Sequence, residues 1–268
     1  MTGNPDTERF QSGADKYSAY LQTREGKLRH DLAFANLREF LPNRPERLLA
    51  LDIGGGPGGM AISLAQLGVH VTLLDASIQM LDLAKRAAQE SGVADDIDLK
   101  QGDAAAVESL FPASSFDVVL CHNVLEYLEE PRATLRFGSR SLRDSSSVIS
   151  VLVRNQAGEV LKSAILHGDL DAAERNLTSE WGNESLYGGR VRLFTPERLR
   201  PMLTTASLAV IAERGVRVVS DYLPLTVSGK QRIFQLERKL GQRPDFASLA
   251  RYTQCIAHRV SPTPTVVS

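Results

Sequence analysis

Apolar residues along this chain come in two alternating rhythms. Short, mostly apolar runs at Arg47–Ile53, Val69–Leu74, Ile97–Lys100, Phe116–Cys121 and Val148–Val153 have the composition of strands buried on both faces. Between them, Met60–Leu67, Ile78–Glu90 and Arg132–Leu142 carry apolar residues at helical spacing. Upstream, Lys27–Leu41 places Leu28, Leu32, Ala35, Leu37 and Phe40 along a helix that Pro42 and Pro45 stop. Strands that alternate with helices in this way predict an α/β fold, a mostly parallel sheet with helices on both faces.

The alternation lapses over Arg154–Arg192, a polar, mixed stretch that contains His167, Trp181, Tyr187 and the Gly188-Gly189 pair. A break of that length inside one domain reads as a functional insertion after the fifth strand rather than as a bare loop. Regular pattern resumes with a helix over Pro196–Thr204, for which Thr195 is a fitting N-cap ahead of proline. A strand over Leu208–Glu213, an extended stretch over Val216–Tyr222, a helix over Lys230–Leu240 and a strand over Gln254–Val260 follow. Residues 1–268 therefore read as a single domain, with 154–192 as its insertion.

Composition narrows the classes. Thirty-one Lys and Arg against thirty-two Asp and Glu leave a net charge of −1, so the chain as a whole exerts no pull on nucleic acid or an anionic membrane; any such pull must be local. Cys121 and Cys255 lie inside apolar, strand-like runs where buried, reduced thiols are expected, which points to the cytoplasm. From Met1 to Glu25 no apolar stretch reaches signal-peptide length, so neither secretion nor membrane insertion is expected. No metal ion is expected either.

The densest chemical signal is Leu51-Asp52-Ile53-Gly54-Gly55-Gly56-Pro57-Gly58-Gly59, a strand that ends in a glycine loop opening a helix. Such a loop lets the backbone approach a ligand closely, and the helix start offers unpaired amides. Gly54, Gly56 and Gly59 also satisfy the dinucleotide pattern G-x-G-x-x-G, and Asp75, at the end of the second strand, would grip a ribose in a dinucleotide site or in a methyl-donor site alike. A nicotinamide oxidoreductase would further need a hydride-transfer site, and no Tyr and Lys stand paired at helical spacing after the fourth strand.

Three neighbours separate the two. Asp52 directly before the loop, the Gly102-Asp103-Ala104 turn, and Phe116-Asp117-Val118-Val119 leading into Cys121-His122-Asn123-Val124-Leu125-Glu126 resemble, in order and spacing, the motifs of class I S-adenosylmethionine-dependent methyltransferases. The resemblance implies a Rossmann-like, seven-stranded sheet whose last strand, Gln254–Val260, runs antiparallel. It implies S-adenosylmethionine as methyl donor. Gly54, Gly55, Gly56 and Gly58 would lie along the methionine part, Asp75 would hold the ribose and Asp103 the adenine amino group, with Ala76 and Ala104 beside them. His122 would face donor and acceptor as the candidate catalytic base.

A closer resemblance is to the bacterial tRNA 5-carboxymethoxyuridine methyltransferases. It rests on Gly26-Lys27-Leu28-Arg29, Asp75-Ala76-Ser77 with Leu81–Ala88, Val124-Leu125-Glu126-Tyr127, Asn155 with Gly158, Gly215-Val216-Arg217-Val218, and Asp221-Tyr222-Leu223. It implies that Arg29 grips the donor carboxylate and that residues 1–41 form a helical lid; over 154–192 the resemblance is weakest, and there the residue types, His167, Trp181 and Tyr187, suit acceptor recognition. Two features depart from it. Arg143-Asp144-Ser145 stands where the family has Pro-Gly-Gly, and the insertion holds no run of lysines for a tRNA backbone. The acceptor is thus either a tRNA wobble carboxylate or a small molecule lying against Trp181 and Tyr187, with Arg154, Arg190, Arg192 and Arg217 as a candidate anion site. For a phenol or amine acceptor His122, Glu126 or Asp221 could act as base.

Overall fold

A short apolar run closed by glycines can bury itself only by pairing along both edges and packing on both faces. Leu49–Ile53 (β1) does this at the centre of the sheet, with Ala50, Leu51 and Ile53 sealed from solvent. The computed structural model describes residues 5–260 apart from 185, 187, 225 and 228, and side chains from residue 13 onward except 105 and 106. The other strands are β2 (His70–Asp75), β3 (Ile97–Gln101), β4 (Val118–His122), β5 (Val148–Arg154), β6 (Trp181–Asn183), β7 (Arg190–Arg192), β8 (Leu208–Val216) and β9 (Tyr252–Arg259). The helices are α1 (Pro5–Gln22), α2 (Arg24–Arg38), α3 (Gly59–Ala65), α4 (Ile78–Glu90), α5 (Pro131–Ser141), α6 (Gln156–Leu161), α7 (Leu170–Thr178), α8 (Pro196–Thr205), α9 (Lys230–Gly241) and α10 (Pro244–Ala247).

Seven strands pair in the order β3-β2-β1-β4-β5-β9-β8, and β9 alone runs against its neighbours. Successive side chains point to opposite faces. Leu51 and Ile53, with Val119 and Cys121, meet Leu135 of α5 and Leu199 of α8 on one face. Ala50, with Val118 and Leu120, meets Leu37 of α2, Leu64 of α3 and Leu81 of α4 on the other. The chain reverses its winding between β1 and β4, so the crevice beyond their carboxyl ends lies at the point where open α/β sheets take ligands.

Helix α4 and the strand cores stand where the apolar pattern puts them. The polar lead, to which the apolar pattern alone assigns no element, forms α1 and then α2, whose first turn is capped by Thr23 Oγ1 accepting from the Gly26 amide at 3.1 Å. The insertion differs more. It holds α6, a π-helical turn over Lys162–Leu166, α7, and the β6–β7 hairpin. Helix α7 carries Leu170, Ala173 and Leu177 at helical spacing but spans barely two turns and buries only Ala173, leaving Leu170 and Leu177 exposed. In place of Pro-Gly-Gly, Asp144 closes the turn before β5, taking Arg44 at 2.7 Å on both oxygens and the Ser146 amide at 2.8 Å. Cys121 and Cys255 are free and buried. Among the described residues no helix is long and apolar enough to cross a membrane.

One buried polar chain ties the sheet to α2. Asn36 Nδ2 donates to Gln254 Oε1 (2.9 Å), and Gln254 Nε2 donates to the Ala33 carbonyl and to Ser150 Oγ (3.0 Å each). Gln254→Leu would strand those partners without water, each loss costing ~1–3 kcal/mol. Urea unfolding is expected to show a loss of about 3 kcal/mol or more, and adding Asn36→Leu should cost less than the sum of the two single losses.

Candidate active site

The glycine loop is shaped by β2. The amides of Gly54 and Gly55 both donate to the Leu74 carbonyl (2.7 and 3.2 Å), and the Gly56 amide donates to Asp75 Oδ2 (2.9 Å), while Asp75 Oδ1 takes the Ser77 amide (2.9 Å). Asp75 is thereby fixed at the strand end, with one edge on the backbone and the other lining a cavity of about 710 Å³. Burial raises its pKa, against the amides of Ser77, Gly56 and Ala76.

The glycines divide their work. Gly56 has φ +55°, and a Cβ there would find nothing nearer than Tyr17 Cε1 at 3.7 Å, so its α-carbon faces the open cavity. A Cβ on Gly55 would lie 2.8 Å from Asp52 Oδ2, and one on Gly54 would lie 2.5 Å from Val124 Cγ2. Gly58 is not brought to the cavity wall. It precedes α3, and a Cβ there would press on Ala84 of α4 at 3.2 Å, so helix packing is its task.

Of the remaining candidates, Arg29, Asp52, Ala76, Asp103, Ala104 and His122 all line the same cavity as Gly54, Gly55, Gly56 and Asp75. Asp52 makes no hydrogen bond to the loop amides, which are already taken. Its buried Oδ2 has no partner, and burial, then the charge of Asp75, push its carboxyl up to about 7. Arg29 is also buried. Its Nη2 donates to the Tyr17 hydroxyl (2.8 Å), and its guanidinium lies 5.6, 5.1 and 5.5 Å from the ring centres of Tyr17, Tyr20 and Tyr252. Among the described residues no carboxylate pairs with it. A carboxyl oxygen without a partner and a guanidinium without a carboxylate, in one cavity, suit a zwitterionic ligand tail.

His122 is held by the same polar chain that secures α2. Its Nε2 lies 2.8 Å from Ser150 Oγ, which already accepts from Gln254. Burial, then Arg29 and His30, push the imidazole down to about 3. An imidazole held so far below its ordinary value is a poor proton acceptor near neutrality. The other two base candidates serve elsewhere. Glu126 Oε1 takes Asn123 Nδ2 (3.0 Å) and the Arg154 amide (2.8 Å) behind the wall, and Asp221 pairs with Arg217 and Arg251.

The acceptor side was only partly legible. Arg154 reaches the cavity and pairs with Glu184 of the insertion, which also accepts from the Tyr127 hydroxyl (3.0 Å) and the Leu186 amide (2.8 Å). Trp181 is not on that wall. It packs under Arg190 and Arg192, whose guanidinium carbons stand 4.5 and 4.7 Å from its ring centre. His167 is exposed past the π-helical turn, and Tyr187 lies outside the described residues. Tyr17, Tyr20 and Tyr252 carried no predicted role. The one signal for the first pair was two tyrosines a helical turn apart in an otherwise polar stretch. Among the described residues no cluster of His, Cys, Asp and Glu is gathered for a metal.

A family model described as "Methyltransferase domain" matches residues 51–150, which run from β1 through the loop to β5. The tRNA 5-carboxymethoxyuridine methyltransferase of Escherichia coli (strain K12) is 28% identical over 261 residues, 93% of this chain and 95% of that protein. The ubiquinone biosynthesis O-methyltransferase of Idiomarina loihiensis is 31% identical over 183 residues, 66% of this chain and 69% of that protein. Among solved structures, the CcbJ methyltransferase from Streptomyces caelestis shares the fold, with a TM-score of 0.65 at 18% identity over 96% of this chain and 100% of that one. The sheet order, the crevice and these matches define a methyl-transferring enzyme. The chain belongs to the class I S-adenosylmethionine-dependent methyltransferases, and S-adenosylmethionine is its donor.

Gly56→Val adds a branched side chain where the cavity is open and forces it to a positive φ, a strain of ~1–3 kcal/mol. The variant is expected to keep its far-ultraviolet circular dichroism while losing measurable S-adenosylmethionine binding by calorimetry. Loss of both together would make the loop structural before it is ligand-binding.

Proposed function

We propose that this enzyme methylates a carboxylate oxygen of the carboxymethoxy group on a tRNA wobble uridine. The observation that carries this is the burial of His122 beside Arg29 and His30, with Nε2 tied to Ser150 Oγ at 2.8 Å, which pushes the imidazole down to about 3 and leaves it a weak base. A phenol or amine acceptor profits from a base near the reacting atom, whereas a carboxylate arrives already ionised. Similarity to the E. coli relative along nearly its whole length supports the same acceptor.

When bound, S-adenosylmethionine supplies an electrophilic methyl group on a positively charged sulfur. In our reading Asp75 holds the ribose hydroxyls, Asp103 the adenine amino group, and Gly54–Gly56 the methionine backbone, with Ala76 and Ala104 against the base. Arg29 grips the tail carboxylate with a planar fork, and Asp52 faces the ammonium. The open face at Gly56, the unpartnered Asp52 oxygen and an Arg29 without a carboxylate support this fit. The N-terminal helices, within residues 1–41, shut water out over the donor, and the 154–192 insertion supplies the acceptor wall through Glu184 and Leu186. His122 contributes orientation and does not serve as the base.

With a near-neutral chain, tRNA must be held by a local basic surface, and the β6–β7 hairpin offers Arg190 and Arg192 steadied over Trp181. Such an acceptor and two reduced, buried thiols fit a cytoplasmic enzyme. The test uses tRNA from cells that lack their own enzyme and therefore retain the free carboxymethoxy group. Donor-dependent methyl incorporation is expected, with binding that weakens steeply as salt rises. Arg190→Ala with Arg192→Ala should lower the log–log salt slope by roughly 1.4–1.8, the loss of two phosphate contacts. No incorporation, with donor binding demonstrated, would instead favour a small-molecule O-methyl acceptor, as the name of the Idiomarina relative suggests.

A further inference from the structure

Behind the cavity, β5, β9, the end of β8 and the first two helices bring four arginines around a single phenol. Arg29 of α2 and Arg217 after β8 stand 5.5 and 6.0 Å from the centre of the Tyr252 ring. Arg154 is the strand neighbour of Tyr252 across β5–β9, and Arg251 precedes it in sequence. The Tyr252 side chain is buried at 4% exposure and lines the cavity.

Three of these cations have carboxylate partners. Arg154 pairs with Glu184, Arg217 with Asp221, and Arg251 with Glu159 at 3.0 Å and Asp221 at 3.2 Å. Lys162, nearer the surface, also reaches Glu159 at 3.5 Å. Among the described residues, Arg29 alone of the four has only hydroxyl and ring contacts. The cluster thus holds one buried positive charge in excess, and an uncompensated buried charge is costly. His122 and His30, the other titratable groups facing Arg29, are held neutral and supply no negative charge.

We propose that Tyr252 is the internal counter-ion of Arg29, carrying a phenolate in the donor-free enzyme and taking a proton from solvent when the donor's carboxylate reaches Arg29. The hydrogen-bond pattern is arranged for this. Arg217 donates to the Tyr20 hydroxyl at 2.9 Å, and Tyr20 keeps its proton and is hydrogen-bonded to Tyr252. Burial alone would raise the Tyr252 phenol, but Arg29, Arg154, Arg217 and Arg251 together outweigh burial and hold it well below the ordinary tyrosine value. Burial, with Tyr252 beside it, raises Tyr20. Tyr252 is a positioning residue, for it acts on the donor through Arg29.

The sign follows from linkage. A carboxylate on Arg29 removes part of the attraction that keeps Tyr252 ionised, so its pKa climbs back and a proton is bound with the donor. Affinity must then fall as pH rises above neutrality, by up to about tenfold per pH unit for one proton. The donor's own ammonium titrates in the same range, at about 8, so the readout is the difference between wild type and Tyr252→Phe.

The inference rests on Arg29 holding the donor carboxylate, and the experiment separates the two. S-adenosylmethionine and 5′-methylthioadenosine, which lacks the amino-acid tail, are each titrated into the full-length enzyme between neutrality and about pH 9. Heat is read in buffers of different ionisation enthalpy, and the tyrosinate absorption band is followed. The expected result is a fall in that band with S-adenosylmethionine but not with 5′-methylthioadenosine, and close to one more proton taken up by wild type than by Tyr252→Phe. An unchanged band at saturating S-adenosylmethionine overturns the proposal, and this arm needs no variant to fold. Arg29→Lys tells which step failed. If it weakens S-adenosylmethionine selectively while the band stays still, only the role of Tyr252 is lost. If it weakens both ligands alike, Arg29 does not hold the carboxylate and both readings fall.

Discussion

Burying a guanidinium without a carboxylate beside it is the constraint on which the site depends. Arg29 leaves water on α2, and among the described residues aromatic faces and hydroxyls receive it, from Tyr17 and Tyr20 on α1 and Tyr252 on β9. Helix α1 is polar over most of its length and has little apolar surface of its own to bury. Its two tyrosines give it a place against the cavity, and they cover the ligand-facing end of α2 at the same time. The same contacts that dock the N-terminal helices therefore leave a positive charge awaiting an anion.

Charge is sorted along the cavity in a way that follows from the sheet. The ends of β1 and β2 bring Asp52 and Asp75 together under the glycine loop, where burial and mutual repulsion make a second negative charge costly. The ends of β5 and β9, with the chain after β8, bring arginines. Between them β4 places His122, which burial and Arg29 keep uncharged. An acidic wall under the glycine loop and a basic wall across the cavity follow from strand order, since β1 and β4 are the neighbours at which the winding reverses.

Polar groups inside this protein are secured in chains rather than in pairs. Asn36, Gln254, Ser150 and His122 run from helix to strand to strand without a break. Glu126 accepts from Asn123, the residue at φ +55° directly after β4, and from the Arg154 amide, so the strained turn and the start of the insertion are held together. Asp144 and Arg44 do for the turn before β5 what a glycine pair does in related sequences. Ion pairing there replaces backbone freedom.

Much of the architecture was legible because its signals are local. Apolar runs, helical spacing, a glycine loop and an N-cap act over a few residues, and they located β1 to β5, α4, α8 and the crevice. They also brought Asp52, Gly54, Gly55, Gly56, Asp75, Asp103 and His122 to one wall. Residue type alone did not distinguish Gly58, which packs on α4, from Gly56, which faces the cavity, because the difference lies in what stands opposite each α-carbon. Nor did it show that Trp181 turns away under two arginines while Glu184 turns inward. The insertion hid its helices because they are short, six residues in α6 and nine in α7, too few for the helical spacing to stand out from a polar stretch. What only the tertiary structure decided is the meeting of Arg29, Arg154, Arg217, Arg251 and Tyr252. These come from elements far apart in the chain, and they are neighbours because β9 inserts between β5 and β8. Pairing of buried charges depends on that long-range order, and no local pattern in the sequence encodes it.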